Sequence, residues 1–355
     1  MASTVLLAPL LLIGLAHVDA GRFSVDVQRV APPQRSNETL GPLSDVYGQG
    51  LNTVGNVQYR GRMTLGTPPQ KFNFGCRSSG PLAKACRSGR GVYDPRRSRT
   101  AYPTNETFVV RYGTGSAEGT YWQDVLAFVS ARGKQLRMRR RITFGVGERM
   151  QFIDKGVLGL GSSDSLPYDD RPSCVMHEGY RQGLLDTPVH EEERRQRLVR
   201  GRRRDHVGRR RLKALRSGRK VGASVHHWQF TVSSMRMGGG GFGQPFKAIT
   251  DSGTSLIVAP ARVVQQLAQA VGARLVQGVY VVPCTANVAL TLMIDGTVLT
   301  IPSEQMLLRA SGKRCELALG ESDDDRWILG DPLTRAFCNV HNFKTRQLGF
   351  APVRP

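Results

Sequence analysis

One short stretch of the sequence has the composition of half a catalytic site. In "KAITDSGTSLIVAP", residues 247–260, Asp251 is followed by a small residue, then by Gly253 and the hydroxyl residue Thr254, between two apolar flanks. An exposed turn needs no such apolar packing, and a plain core strand has no use for an acid. A carboxylate held in such a turn can act as a general acid or base. The pattern therefore predicts a catalytic carboxylate that works with a partner elsewhere in the chain.

A weak long-range repeat indicates where that partner is expected. "GVLGLG" at 156–161 and "WILGD" at 327–331 both combine two aliphatic residues with a glycine. Asp251 precedes the second of these motifs, and a similar interval counted back from the first one reaches residues 77–80. The sequence there, "KFNFGCRSSGPLAKAC", contains no acidic residue. The chain therefore shows a half-site whose counterpart is missing.

Two other patterns could suggest a ligand site, and both are weak. His226 and His227 adjoin Trp228, but no Cys, Asp or further His lies at ligand spacing, so we expect no metal. The glycines of "MGGGGFGQPF" at 237–246 lack a following Lys-Ser/Thr and a strand-to-helix context, so we expect a loop rather than a phosphate site. The sequence indicates no cofactor.

The elements that position Asp251 are predicted to be mostly strands. Short alternating runs recur between Gly, Pro or Asp-Gly, as in "NVQYRGRMTLG", "TFVVRYGTGS", "YVVPC" and "ALTLMIDGTVLTIP". Asp295-Gly296 between two such runs predicts a two-residue hairpin. One helix is predicted over 261–271, ending at Gly272. Its apolar face consists of Val263, Val264, Leu267, Ala270 and Val271. The predicted fold class is all-β with a few short helices.

The N-terminus has the pattern of a secretory signal peptide. Residues 1–20 contain an apolar run of about ten residues and end in a small-residue site. That run is too short to span a bilayer, and no other stretch approaches the roughly twenty apolar residues that a membrane helix needs. Six cysteines and the sequons at Asn37 and Asn105 fit an oxidising secretory route. We expect a secreted, lysosomal or vacuolar protein without a membrane span, glycosylated at both asparagines.

The net charge of +22 is concentrated in one segment. Residues 194–220 contain fourteen Lys or Arg and one Asp. Such a run could be a nucleic-acid patch, a nuclear signal or a polyanion-binding loop. The predicted signal peptide argues against a nuclear role, and no aromatic residue interleaves the run to stack on bases. We therefore expect a solvated loop and no nucleic-acid partner.

A series of motifs extends from about residue 56 to the end of the chain. It begins with "LGTPPQKF" at 65–72, "YDPRRSRT" at 93–100 and "YGTGSAEGTYWQDVL" at 112–126. It continues with "GVLGLG", "QGLLDTPV", "HWQFTV", "ITDSGTSLIVAP", "WILGDPLTRAF" and "LGFAP". In this order the motifs resemble the pepsin-like aspartic peptidases, in which the first three are the lead-in to the first catalytic loop, the strand that follows it, and the flap hairpin.

The resemblance implies two β-barrel-like lobes around a central cleft and endopeptidase chemistry on protein or peptide substrates, with no cofactor. It also implies a zymogen and a set of boundaries. These are a signal peptide at 1–20, a short prosegment at 21–50, an N-terminal lobe at 51–190, an Arg-rich segment at 191–224 and a C-terminal lobe at 225–355. We expect a monomer, inhibited by pepstatin-like compounds if it is active.

The same resemblance assigns roles to individual residues. Asp251 matches the second-lobe catalytic acid, Gly253 would let the backbone come close, and Thr254 would orient the carboxylate. The residues that would close over a bound peptide as the flap are Tyr112, Gly113 and Thr114. The cysteines that match the second-lobe disulfide are Cys284 and Cys315. In the family, two carboxylates, one from each lobe, hold a water and share one proton.

The first-lobe acid is absent from the matched position. Counted from the Thr-Pro-Pro-Gln at 67–70, the Asp-Thr-Gly-Ser of the family falls on Arg77-Ser78-Ser79-Gly80. Asp94 is the nearest acid downstream, and we expect it at the surface. A cation beside Asp251 would favour the ionised carboxylate and remove the shared proton. As written, the chain is expected to be a poor enzyme or an inactive one.

Two explanations of the missing acid remain open at this stage. The chain is a true inactive homologue whose cleft still binds peptides, or the sequence carries a local error or a splice variation and the real product is active. The Arg-rich segment favours the second explanation, because it lies where the family has strands. Lys155, just before "GVLGLG", also replaces the acid that is usual in the family.

Overall fold

A computed structural model shows how these motifs fold. It describes residues 28–30, 58–60, 63–72, 93–112, 115–129, 135–151, 157–161, 174–185, 189–192, 220–222, 228–309 and 313–352. The predicted signal peptide, the sequon at Asn37, the Arg77–Gly80 position, the flap residues Gly113 and Thr114, and residues 194–219 lie outside these ranges. Strands dominate the described residues and helices are few and short, which confirms the all-β prediction.

Among the described residues, the N-terminal half forms two larger antiparallel sheets and one two-stranded sheet. Its strands are β1 Gln28–Val30, β2 Gln58–Arg60, β3 Met63–Leu65, β4 Gln70–Phe72, β5 Tyr102–Tyr112, β6 Gly115–Asp124, β7 Leu126–Val129, β8 Gln135–Arg137, β9 Ile142–Gln151 and β10 Val189–Glu192. Its one described α-helix is α1, Val175–Arg181. One sheet has the strand order β4-β3-β7-β8 and the other β5-β6-β9, while β1 pairs only with β2.

The C-terminal half has three sheets of its own. Its strands are β11 Lys220–Gly222, β12 Gln229–Val232, β13 Ser234–Met237, β14 Gly240–Phe242, β15 Phe246–Thr250, β16 Ile257–Pro260, β17 Arg274–Val276, β18 Val279–Pro283, β19 Leu290–Ile294, β20 Thr297–Ile301, β21 Leu307–Arg309, β22 Arg314–Leu317, β23 Leu319–Ser322, β24 Ile328–Leu329, β25 Phe337–Asn342 and β26 Gln347–Pro352. Its helices are α2 Ala261–Ala270, α3 Ser303–Met306 and α4 Asp331–Ala336. The sheet orders are β12-β15-β24-β16-β23, β14-β13-β19-β20 and β17-β18-β22-β21.

The two largest apolar clusters of the described residues lie in different halves of the chain, which makes the fold bilobal. Met63, Phe128 and their neighbours form one cluster in the N-terminal half, whereas the larger cluster draws only on residues between Trp228 and Phe350. A further sheet, β10-β25-β26-β11, takes strands from both halves. Trp228 also donates its indole N–H to the carbonyl of Leu160 at 2.9 Å, which ties the first half to the start of the second.

The segment "YDPRRSRT" is not the strand that the family resemblance implied. Pro95–Arg97 form a single 3-10 turn instead. Proline has no N–H for a sheet ladder, and the Asp94 carboxylate accepts the backbone N–H of Arg96 at 3.1 Å. This capping contact stabilises the turn over an extended strand.

Helix α2 confirms the predicted helix and corrects its apolar face. Its buried side chains are Val263, Val264, Leu267 and Ala268. Ala270, which was expected on that face, is exposed, and Ala268 takes the place because it lies one turn beyond Val264. Gly272 adopts a φ of +67°, and the amide of Ala273 returns to the Ala268 carbonyl at 2.9 Å, so the helix ends where the glycine predicted.

The C-terminal lobe contains the expected hairpin at Asp295-Gly296 and the expected disulfide between Cys284 and Cys315. Asp295 and Gly296, with φ values of 47° and 69°, connect β19 to β20 in a two-residue hairpin, as predicted. A disulfide joins Cys284 to Cys315, next to the paired strands β18 and β22.

Glu316 on β22 makes the stability of the C-terminal lobe depend on pH. The residue is 4% exposed, and burial raises the pKa of its carboxyl from 4.5 to about 7. Between these two values the unfolded chain loses the proton while the folded chain keeps it, so stability falls as the pH rises. Because each pKa unit corresponds to about 1.4 kcal/mol, the full difference is at most roughly 3 kcal/mol.

We therefore expect the free energy of unfolding to fall by about 1–3 kcal/mol from pH 4 to pH 8 because of this one group. Glu316→Gln should remove that part of the pH dependence. Urea unfolding at the two pH values measures it, with the exposed Glu304→Gln as the matched control. An identical pH dependence in the two variants would contradict the assignment to Glu316.

Candidate active site

Asp251 follows the last residue of β15, and β24 lies between β15 and β16 in the sheet. β24 pairs in parallel with β15 and antiparallel with β16, so it separates the strand before Asp251 from the strand after it. The Asp251 amide donates to the Leu329 carbonyl at 3.2 Å. The crossing strand therefore fixes the backbone from which the carboxylate projects.

Two neighbouring residues hold the Asp251 carboxylate itself. The Gly253 amide donates to Oδ1 at 2.8 Å, and the Thr254 hydroxyl donates to Oδ2 at 2.5 Å. A Cβ at position 253 would lie 3.1 Å from Oδ1, closer than side chains normally approach. With both oxygens engaged, the plane of the carboxylate is set before any ligand arrives, which is what a positioned acid or base requires.

Gly330 packs closely against the backbone of this turn. A Cβ at position 330 would lie 2.1 Å from the Thr254 carbonyl oxygen and 2.4 Å from that of Leu256. The next residue, Asp331, donates its amide to the Thr254 carbonyl at 2.8 Å. The sequence indicated only that "WILGD" repeats an earlier motif. The structure shows that its glycine lets β24 approach the backbone of the Asp251 turn.

A partly buried polar pair adjoins Asp251. Thr250, the preceding residue, places its hydroxyl 3.4 Å from Nε2 of His341. His341 on β25 is 1% exposed and meets the Trp228 ring edge-on, with 4.9 Å between the ring centroids. Sequence reasoning missed this pair, because no local pattern links two residues that are 91 positions apart.

Two acids of the N-terminal lobe are engaged in structural contacts. Asp94 caps the 3-10 turn, and its carboxylate pairs with Nε of Arg96 at 3.1 Å, with about a quarter of its side chain exposed (27%). Asp124 is completely buried, and it accepts the Tyr93 hydroxyl at 2.6 Å and the Thr100 hydroxyl at 2.5 Å. Both carboxylates therefore have structural roles in the N-terminal lobe.

Asp124 should matter for stability rather than for chemistry. It also accepts the Val125 amide at 2.7 Å, and burial together with the Asp124 hydrogen bond raises the pKa of Tyr93. Asp124→Ala would remove the acceptor of the buried Tyr93 hydroxyl and of the Val125 amide, so we expect the free energy of unfolding to fall by about 2–4 kcal/mol. Urea unfolding of the intact chain measures the loss.

Glu118→Ala is the control for that variant, because Glu118 is an exposed partner of Arg149 and should contribute less than about 1 kcal/mol. Tyr93→Phe keeps the carboxylate and should lie between the two. A loss of stability in Asp124→Ala no larger than in Glu118→Ala would show that the network is not stabilising.

The structure also places part of the predicted flap. Tyr112 is the last residue of β5, and it pairs with Gly115, the first residue of β6. Asn105, the second predicted glycosylation site, is exposed on β5. Within the described ranges, no group of three or more His, Cys, Asp or Glu residues could hold a metal ion.

Comparisons with known proteins agree with this geometry. The family model described as "Eukaryotic aspartyl protease" matches residues 58–192 and 212–353. The chain is 24% identical to Aspartic protease 2 of Necator americanus, over 95% of this chain and 97% of that protein. It is 27% identical to Aspartic protease 6 of Caenorhabditis elegans, over 86% and 84%. It is also 27% identical to gastricsin of Homo sapiens, over 83% and 81%.

Proposed function

The chain belongs to the eukaryotic aspartyl protease family, and from this premise we propose that it is an aspartic endopeptidase whose hydrolysis is impaired by the loss of the first-lobe acid. One observation carries the proposal. The Asp251 carboxylate is held on both oxygens by Gly253 and Thr254 at the end of a strand that β24 fixes from the other side. That is the geometry a catalytic carboxylate needs.

The chemistry needs two carboxylates that hold one water and share one proton, since two adjacent carboxylates cannot both ionise cheaply. The ionised member removes a proton from the water as it attacks the peptide carbonyl. The protonated member donates to the carbonyl oxygen, and a proton later reaches the leaving nitrogen. Asp251 supplies one of these groups. Tyr112, Gly113 and Thr114 would close over the bound peptide.

Arg77 is the reason for the proposed impairment. By alignment of the motifs it takes the position of the other carboxylate. A guanidinium at that position would disfavour a proton shared with a neighbouring carboxylate, and it has no proton that it can donate at acidic pH. One carboxylate cannot take a proton from water and also supply one.

A second candidate function follows from the same geometry. The Asp251 turn is held in place with Gly330 packed against it, and β5 pairs with β6, so a cleft that has lost an acid can still bind a peptide without cleaving it. Calorimetry with pepstatin at pH 4 tests this function. Asp251→Asn should weaken binding about tenfold, because it disturbs charged hydrogen bonds.

Asp325→Asn is the control for that titration, because Asp325 is exposed. Equal affinity in the two variants would show that pepstatin does not reach Asp251. A complete lack of pepstatin binding by the unmodified chain would exclude the peptide-binding function.

We also propose the domain boundaries and the route of the protein. Signal peptide 1–20, prosegment 21–50, lobes 51–190 and 225–355, and the Arg-rich segment 191–224 follow from the motif order. The two apolar cores and the family match, which is interrupted between 192 and 212, support the division into lobes. Secretion or delivery to a lysosome or vacuole fits the family. Among the described helices, none is long and apolar enough to cross a membrane.

A further inference from the structure

The N-terminal lobe carries a cluster of exposed arginines that peptide hydrolysis does not use. It is formed by Arg97, Arg99, Arg137, Arg139, Arg140 and Arg141, and all six are exposed. We call it the arginine patch. The sequence directed attention to residues 194–220 instead, because the six patch residues are divided between two short segments.

Contacts at both ends join the two segments of the patch into one surface. At one end, Arg99 donates its amide to the Thr67 carbonyl at 2.8 Å, and the Arg137 guanidinium donates to the Thr67 hydroxyl at 2.8 Å. At the other end, the Arg141 guanidinium lies over the Tyr102 ring, 5.8 Å from its centroid. The loop that holds Arg97 and Arg99 is therefore joined to Arg137 through Thr67, and Tyr102, which follows this loop, contacts Arg141.

The charge of the patch is not neutralised locally. The acids at its border are engaged, since Asp94 pairs with Arg96, and Glu178 of α1 pairs with Arg181 at 3.1 Å. Asp124 is buried below the patch and accepts hydrogen bonds from core groups. Within the described part of the chain, none of the six arginines forms a salt bridge. Exposed charges of one sign sum to a field that attracts polyanions.

The rest of the patch limits the kind of polyanion. Tyr102 is its only exposed aromatic residue among those described, and Arg141 lies over that ring, so the patch offers no series of rings on which successive bases could stack. Met138, between the arginines, is 2% exposed and faces the core, so no apolar side chain there can insert into a bilayer. What remains is a set of guanidinium groups, which bind planar arrays of anionic oxygens in pairs.

We propose that the arginine patch binds a sulfated polysaccharide. Sulfate esters present terminal oxygens to which a guanidinium can donate two parallel hydrogen bonds, and a polysaccharide needs neither a stacking platform nor an apolar anchor. Binding holds the protein on a sulfated matrix through the outer face of one lobe. It is independent of the peptide-binding role and of the state of residue 77.

The test uses heparin as the probe and the full chain as the protein. Arg139 and Arg140 are the residues to change, because their backbone amides make the local hydrogen bonds, donating to Oε1 of Gln182 at 2.8 and 2.9 Å. Arg139→Gln with Arg140→Gln therefore keeps the local structure and removes two charges. We expect heparin affinity at physiological salt to fall about fivefold or more. Counterion release predicts that the slope of log affinity against log salt falls by roughly two.

A matched pair controls for net charge. Arg236→Gln with Arg262→Gln removes the same charge from exposed positions of the C-terminal lobe, and it should change affinity less than twofold. Because residues 194–220 are themselves basic, both pairs are also measured in a chain whose arginines 202–204 and 209–211 are changed to Gln. The patch pair should lose more affinity than the control pair in both backgrounds.

Equal losses from the two pairs, or no loss from the patch pair in either background, would overturn the proposal. A 20-nucleotide single strand and phosphatidylserine vesicles serve as competing probes. If either binds as tightly as heparin and depends equally on Arg139 and Arg140, the sulfated polysaccharide is the wrong ligand.

Discussion

Replacing Arg77-Ser78-Ser79-Gly80 by Asp-Thr-Gly-Ser is expected to convert the chain into a pepstatin-sensitive peptidase at acidic pH. The change restores the second carboxylate, so that the pair can share a proton with Asp251 across a bound water. A positioned acid or base typically contributes about 10²–10⁴-fold to a rate, and we expect a gain at least that large. Hydrolysis of an acid-denatured protein, with and without pepstatin, measures it.

Two further variants make this result specific. Arg77→Asp alone should restore little activity, because the turn also needs the hydroxyl and glycine that orient the carboxylate, as Thr254 and Gly253 do for Asp251. Asp251→Asn in the restored chain should abolish the gain. If the restored chain folds but shows no pepstatin-sensitive cleavage, Asp251 is not half of a catalytic pair.

Gly330→Ala is expected to have the largest effect of any single substitution on the second-lobe site. The new Cβ would lie 2.1 Å from the Thr254 carbonyl oxygen and 2.4 Å from that of Leu256. Both oxygens belong to the backbone and the position of the Cβ is fixed by its own backbone, so no side-chain rotation can relieve the clash. Either β24 moves out of the sheet or the Asp251 turn shifts. We expect the free energy of unfolding to fall by about 3 kcal/mol, together with a loss of pepstatin affinity.

Gly243→Ala is the matched control for Gly330→Ala. A Cβ at position 243 meets nothing within 4 Å, so the change should stay within about 0.5 kcal/mol. Urea unfolding and pepstatin titration report the two effects separately. If Gly330→Ala is as stable as Gly243→Ala, the close approach of β24 does not hold the Asp251 turn in place.

Short sequence patterns correctly predicted the turns and helix ends that depend on the conformations of a few neighbouring residues. The Asp295-Gly296 hairpin and the end of α2 at Gly272 follow from backbone conformations that glycine and its neighbour adopt readily. The face of α2 was wrong at Ala270, because the sheets packed against the helix decide which side chains are buried. The turn at Pro95–Arg97 replaced an expected strand through one proline and one capping carboxylate.

In the candidate site too, the residues close to Asp251 in sequence were predicted and the distant ones were not. Gly253 and Thr254 adjoin Asp251 in sequence, so one motif named all three, and the structure brings them into contact. Gly330 and His341 reach the same turn only through the order of strands in two sheets, which no local pattern encodes. The match of Arg77 to the missing acid rests on counting along the motif, and it stays a prediction.

The most direct measurement is hydrolysis of acid-denatured haemoglobin by the purified, unmodified chain near pH 4, with its Asp251→Asn variant as the blank. We predict that the two rates are indistinguishable and that pepstatin changes neither, because Arg77 is expected to stand where the carboxylate partner of Asp251 should be. Robust cleavage that is lost with pepstatin or with Asp251→Asn would contradict this prediction. It would mean that an acid elsewhere in the first lobe, and not at position 77, is the partner of Asp251.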